Sequence, residues 1–173
     1  MTMPDKTFMK DIEFLLFIAD KMFFAIICGV IVGFERKLNR SPAAFKTQIL
    51  ISVGSMLFIA MASFNDDLRP QTARIIAQIV SGIGFLGAGA IIRNGSMNVV
   101  GLTTAAWIWF TASMGIMVGL GYGISAVFVT STLTAVITIM RKFERSYFDN
   151  HQDQVTVLRK EVSEVDNDEK KSA

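Results

Sequence analysis

The chain has 173 residues, of which 51% are hydrophobic and only 18% are charged, whereas soluble domains carry roughly 25% charged residues. Its single cysteine, Cys28, excludes an intrachain disulfide, and its single histidine, His151, excludes histidine zinc sites and Ser-His-Asp triads. The net charge is +2, with basic residues beside apolar segments rather than among stacking aromatic residues, so nucleic acid is not an expected partner. The composition indicates a lipid-embedded protein, and we expect neither enzyme activity nor a cofactor.

Five apolar segments are long enough to cross a bilayer, whose hydrocarbon core of roughly 30 Å needs about 20 helical residues. Between residues 75 and 140 the only charged side chain is Arg93. The first segment contains Asp20 and Lys21. The alternative is a short interfacial helix followed by a second helical stub, but that second piece would be too short to cross the bilayer. We therefore interpret the segment as one tilted helix. The predicted spans are residues 12–34, 45–64, 75–92, 102–120 and 122–140.

Basic residues near the span ends predict the orientation, because short loops rich in Lys and Arg stay in the cytoplasm. One side carries eight of them and the other carries four, namely Lys6, Lys10, Arg69 and Arg74. The fold class that follows is all-α, a polytopic membrane protein with its N-terminus outside and its C-terminus cytoplasmic. We predict a transmembrane domain over residues 1–145 and a polar cytoplasmic tail over residues 146–173, which we expect to be disordered.

The third span contains Gly82-Ile-Gly84-Phe-Leu-Gly87, which matches the dinucleotide fingerprint. A nucleotide site also needs a preceding strand and a later acidic residue, but no Asp or Glu occurs from Leu68 through Phe143, so we reject it. Two interpretations stay open for this span: a central packing helix, or a bare backbone that lines a polar path. The candidate path or packing residues are Gln78, Ser81, Gly82, Gly84, Gly87 and Gly89.

Small residues four apart recur in other spans and are typical of closely packed membrane helices. The pairs are Gly29 with Gly33, Gly115 with Gly119, and Gly119 with Gly123. We expect them to form packing contacts within the chain or across a homo-oligomer, of which a dimer is favoured.

Asp20 and Glu35 are the only carboxylates expected at membrane depth, so a buried ion site would have to use them. Glu35 and Arg36 close the first span, either as an anchor pair that faces water or as functional groups. We predict that Thr103 caps the fourth span. The predicted set of polar site residues comprises Asp20, Glu35, Arg36, Lys46, Thr47, Arg74, Arg93, Asn98, Thr103 and Thr104. It defines no metal-ligand set, and any Mg²⁺ path would carry a hydrated ion along carbonyls, amides and hydroxyls.

Two long stretches, residues 74–89 and residues 98–106, together resemble the MgtC/SapB family. Residues 29–36 and the Lys46-Thr47 pair with Gly54 agree with the same pattern, so the resemblance covers about residues 20 to 140. It implies a five-span bacterial inner-membrane protein linked to growth at low magnesium and, in pathogens, to virulence. Lys46 departs from the family's usual arginine, and the soluble C-terminal domain of longer members is absent here, so we expect a bare membrane module.

Two functional hypotheses follow from the spans and the resemblance. In the first, the protein supports Mg²⁺ homeostasis as an ion-conducting module, with Gln78, Ser81 and the glycines of the third span lining the path. Glu35, Arg36 and Arg74 then act as gates or structural ion pairs. In the second, it is a non-transporting regulator that docks on a transporter or on the ATP synthase. A purely architectural or lipid-binding scaffold is a third alternative.

Overall fold

The computed structural model describes residues 6–94 and 98–144, so the predicted tail over residues 146–173 lies outside the described part. Its five long helices are α1 (Lys6–Leu38), α2 (Phe45–Phe64), α3 (Thr72–Ala90), α4 (Leu102–Gly119) and α5 (Gly123–Glu144). All five spans are long and apolar enough to cross a membrane, which confirms the predicted five-helix fold class. Contacts divide the chain into residues 1–134 and 135–173, and the described part of the second unit is the last ten residues of α5.

The helix bounds follow the hydropathy pattern closely. The second helix coincides with the predicted span, Phe45–Phe64, because polar turns flank it on both sides. The first helix is longer than predicted: its 33 residues make one continuous rod of about 50 Å that contains Asp20 and Lys21. The single-helix interpretation of this segment is therefore confirmed, and the alternative of a helix followed by a stub is not what forms.

Short connections join the spans. The polar turn after α2 leads into a 3₁₀ helix (Arg69–Gln71) directly before α3. Between α3 and α4 the chain forms an antiparallel pair of short strands, β1 (Ile92–Asn94) and β2 (Asn98–Val100). Gly101 then enters α4 at φ +94°, and a Cβ at this position would overlap the carbonyl oxygen of Ala90, so only glycine fits there.

Glycines bring α1, α2 and α4 into backbone contact. A Cβ on Gly29 or Gly33 of α1 would press against the backbone of Ile49 or Phe45 in α2. A Cβ on Gly115 of α4 would overlap Ser52, and its neighbour one turn on, Gly119, packs against Ile59. These contacts confirm the packing role predicted for the small residues, and they lie within one chain.

The register of these contacts gives the helix directions. Because Gly29 faces Ile49 while Gly33 faces Phe45, α1 and α2 are antiparallel. Because Gly115 faces Ser52 while Gly119 faces Ile59, α2 and α4 run in the same direction. One apolar core cluster of buried side chains joins α1, α2, α4 and the start of α5, and it comprises Ile18, Ala25, Cys28, Met56, Ala60, Met114, Val118 and Ala126.

The third helix lies at the edge of the bundle. Only 11% of its most apolar stretch is buried, compared with 56% for the fourth span. Among the described residues, no atom lies within 4 Å of the position that a Cβ would take on Gly82, Gly84 or Gly89, whereas Gly87 meets Ala105 of α4. Of the two interpretations left open for this glycine-rich helix, the central packing helix is therefore wrong for the single chain, because α2 and α4 are the more buried helices.

Candidate functional site

One group of polar side chains gathers where α1 ends and α4 begins, and we name it the polar cluster: Glu35, Arg36, Asn39, Ser41 and Thr104. Arg36 Nη2 donates a hydrogen bond to Thr104 Oγ1 at 3.2 Å, and Arg36 Nη1 lies 3.8 Å from Glu35 Oε2. Asn39 Nδ2 donates to Glu35 Oε1 at 2.9 Å. The hydroxyls of Ser41 and Thr104 are 3.4 Å apart. The cluster joins the first span, the following loop and the fourth span.

Burial distinguishes the two interpretations of Glu35 and Arg36. Their relative exposures are only 3% and 5%, so they do not form an anchor pair that faces water. A charge removed from solvent is tolerated when it is paired and hydrogen-bonded, which is what the ion pair and the Thr104 and Asn39 bonds provide. Gly33 contacts Phe45, which is the first residue of α2. The Glu35–Arg36 pair therefore lies near the depth at which α2 begins.

A second set of buried polar groups, which we name the buried seam, lies on α2 and α4. It comprises Gln48, Ser52 and Thr111, all with no exposed surface. Gln48 Nε2 donates to the carbonyl of Ala43 at 3.1 Å, but Gln48 Oε1, Ser52 Oγ and Thr111 Oγ1 have no hydrogen-bond partner among the described residues. Because buried oxygens are normally bonded, the seam is a polar feature in an otherwise apolar interior.

An open cavity, which we name the groove, separates α2 from α3. Its volume is about 1100 Å³, its walls are mainly apolar, and Ile108 of α4 also lines it. Gly82 and Gly89 of α3 line the groove without a side chain, so the helix backbone is accessible there. The polar residues among the lining are Thr47 and Ser55 on α2, and Arg74 and Gln78 on α3.

Asp20 lies far from the polar cluster, near the opposite end of the bundle. It is 15 residues from Glu35 on the same helix, which corresponds to about 22 Å. Lys21 Nζ lies 3.9 Å from Asp20 Oδ1 and 4.0 Å from the centre of the Phe17 ring, and Phe17 in turn packs on Phe64, the last residue of α2. The two carboxylates therefore cannot bind one ion together.

The predicted polar residues thus divide among several places. Glu35, Arg36 and Thr104 form part of the polar cluster, while Thr47 and Arg74 line the groove. Lys46 and Thr103 are exposed. The prediction that Thr103 caps α4 is wrong, because Gly101 occupies the cap position and no side chain bonds there. For Arg93 and Asn98 the structure describes only the backbone, in the two short strands.

The predicted path or packing residues of α3 also separate by position. Gln78, Gly82 and Gly89 line the groove. Ser81 and Gly84 are exposed and do not line it, and Gly87 packs on α4. Among the described residues no group of three potential metal-ligating His, Cys, Asp or Glu side chains occurs.

Sequence reasoning missed the buried seam and Ser55. The signal was present as spacing: Gln48, Ser52 and Ser55 follow one face of α2 at intervals of four and three residues, and Thr104 and Thr111 are seven apart on α4. Each of these polar residues is isolated within an apolar span, so only their common spacing indicates a shared face.

Five membrane-spanning helices packed through glycines, with a buried ion pair at one end, define a multi-pass α-helical membrane protein. Residues 22–146 match the MgtC family, and the chain belongs to that family. It is 41% identical to Protein MgtC of Brucella abortus strain 2308 over 118 residues, which is 68% of this chain and 48% of that protein.

Two further relatives show the same extent of similarity. Protein MgtC of Salmonella typhimurium strain LT2 is 40% identical over 68% of this chain and 50% of its own length. An uncharacterized protein of Haemophilus influenzae is 36% identical over 75% of this chain and 58% of its own length. The chain therefore spans about half the length of the curated relatives it matches. No solved structure matches it.

Proposed function

We propose that the chain is a protein of the bacterial inner membrane that serves Mg²⁺ homeostasis as a non-transporting regulator. It acts by docking a transmembrane helix of another membrane protein into the groove. Membership of the MgtC family supports the connection with magnesium and the location. The single observation that carries the docking role is the open groove between α2 and α3, lined by glycines that no residue within 6–94 or 98–144 covers.

The energetics of glycine support an external partner for this groove. Glycine inside a helix is less favourable than alanine by about 1 kcal/mol. Gly29, Gly33 and Gly115 offset that cost by allowing backbones to meet, but a Cβ on Gly82 or Gly89 would meet no atom within 4 Å in the part of the chain that the structure describes. In lipid, apolar surface alone does not drive helices together, and small residues that allow close approach do. A helix of another protein in the groove would let Gly82 and Gly89 make the same kind of close backbone contact.

The close packing of the bundle argues against conduction through its centre. Along the α2–α4 contact, the Gly115 backbone lies so close to the Ser52 carbonyl that one methyl group would overlap it. A hydrated Mg²⁺ ion keeps its waters and needs a wide route. The groove is wide enough, but it is mainly apolar and opens sideways, which suits a helix better than an ion.

Crosslinking in native membranes tests the docking role. A photoreactive benzoylphenylalanine replaces Phe85, which lines the groove and is 81% exposed, and in a matched control it replaces Phe128, which lies on α5 and is 70% exposed. We expect an adduct with one defined membrane protein from position 85 alone, identified by mass spectrometry. Gly82→Leu, which fills the groove, should abolish the adduct, and Ala77→Leu, on an exposed face outside the groove, should retain it. Recovery of self-complexes only would contradict the proposal.

Ion conduction is the second candidate, and the buried seam favours it, because Gln48, Ser52 and Thr111 present unbonded oxygens inside the bundle. Purified protein in liposomes with Mg²⁺, H⁺ or K⁺ gradients tests it. The regulatory proposal expects flux no greater than in empty liposomes. Flux that is lost on Thr111→Val would favour conduction along the seam and contradict our proposal.

A further inference from the structure

The groove has a charged end. Arg74 lies in the first turn of α3, is exposed, and lines the groove. It forms neither a hydrogen bond nor an ion pair in the part of the chain that the structure describes, whereas nearby Arg69 pairs with Asp66 at 3.0 Å. The groove therefore offers one positive charge at one end of a mainly apolar wall.

An unbonded hydroxyl lies farther along the groove. Ser55 is only 6% exposed, yet it lines the groove and has no hydrogen-bond partner among the described residues. Gln78, one turn along α3 from Arg74, lines the same cavity with an exposed carboxamide. Polar groups that face lipid without a partner are unfavourable, so both favour an occupant with its own hydrogen-bonding side chain.

A second copy of the chain is a poor occupant of this groove. Copies inserted in the same direction associate by rotation about an axis normal to the membrane, which places both Arg74 side chains at the same depth. Packing α3 against α3 through the groove would bring these like charges together, and like charges that face each other across an interface are unfavourable. A lipid chain would fill the apolar wall, but it has no requirement for bare backbone at Gly82 and Gly89.

We propose that the groove selects a transmembrane helix of a different protein that carries a carboxylate at the depth of Arg74, small residues against Gly82 and Gly89, and a hydrogen-bonding side chain facing Ser55 and Gln78. This inference rests on the docking role proposed above and names the chemistry of the docked helix. The glycines permit the close approach, and the Arg74–carboxylate ion pair supplies the selectivity between otherwise similar helices.

Three designed single-span peptides test whether the groove selects a helix that carries a carboxylate at the depth of Arg74. All have a Leu-rich helix with a stripe of Gly and Ala and one Ser, and they differ only in carrying Glu, Gln or Lys at the depth of Arg74. Binding to the full chain is measured by energy transfer in phosphatidylcholine liposomes. We expect the Glu peptide to bind about five-fold more tightly than the Gln peptide, with the Lys peptide weakest. With Arg74→Glu the order should reverse, and because Arg74 is exposed this variant should fold.

Matched variants separate this inference from the docking role. Gly82→Leu should abolish binding of all three peptides, whereas Ala77→Leu should leave it unchanged. If Gly82→Leu blocks binding but the three peptides bind equally, docking stands and the proposed charge selectivity is overturned. Displacement of all three peptides equally by phosphatidylglycerol would assign the groove to lipid. Self-association that Gly82→Leu removes would assign it to a second copy, and either result would overturn the inference.

Discussion

Arg36, near the end of α1, donates a hydrogen bond from Nη2 to the hydroxyl of Thr104 in the first turn of α4, 68 residues later in the sequence. The bond is 3.2 Å long, and both residues are buried. A hydroxyl thus helps to satisfy a guanidinium that has been taken out of water. The contact fixes one end of the first span against the fourth, and the loop residue Ser41 joins it through its hydroxyl.

We predict that Thr104→Val destabilises the protein by about 1.5–3 kcal/mol, because it removes a hydrogen bond to a buried charged group while keeping the side-chain volume. The unfolding midpoint in detergent can be measured with a fluorogenic maleimide, since Cys28 is the only cysteine and is buried until the bundle opens. Thr103→Val is the matched control, because Thr103 is exposed and should change stability by less than about 0.5 kcal/mol. Equal midpoints for the two variants would show that the bond contributes nothing.

Glycines at similar depth should respond in opposite ways to alanine. Gly115→Ala places a methyl group onto the Ser52 carbonyl and against Ser55, so we expect a loss of about 1–3 kcal/mol from strained packing. The methyl group of Gly54→Ala in α2 would meet no described atom within 4 Å, so this variant should stabilise the protein by up to about 1 kcal/mol through helix propensity. The same maleimide assay measures both variants. A stable Gly115→Ala protein would contradict the close α2–α4 contact.

Cysteine labelling tests the orientation that the basic residues predict. In a Cys28→Ala background, Lys10→Cys and Lys37→Cys place one exposed thiol near each end of α1. With the N-terminus outside, a membrane-impermeant maleimide added to spheroplasts should label position 10 and leave position 37 unlabelled. Both positions should react after detergent solubilisation, which serves as the control. Labelling of position 37 alone would reverse the predicted topology.

The spans could be predicted because each segment must by itself be apolar and long enough to cross the bilayer. A helix of about 20 apolar residues satisfies its own backbone in lipid whatever its neighbours are, so the range of α2 follows directly from composition. The glycine pairs of α1 and α4 were likewise recognisable from their spacing. The continuous α1 followed from the length that a span requires, despite Asp20 and Lys21.

The position of α3 could not be predicted from its residues. Small side chains permit close packing, but they do not show whether the packing partner belongs to the same chain or to another protein. In the sequence, Gly82 and Gly115 are both glycines of an apolar segment and cannot be distinguished in this respect. The neighbouring helices decided the difference, since Gly115 meets Ser52 whereas Gly82 meets no other described residue. Burial of Glu35 and Arg36 likewise depended on Thr104, which no local pattern connects to them.

The sequence alone determined that five helices cross a membrane, which apolar segments form them and which small residues allow helices to approach closely. These properties are local, because hydropathy, backbone satisfaction and side-chain size act within one segment. Only the tertiary structure decided which glycines are covered, that Arg36 meets Thr104, and that the groove between α2 and α3 stays open. Those outcomes depend on how surfaces from distant segments fit together, and the shape of one surface does not specify the other.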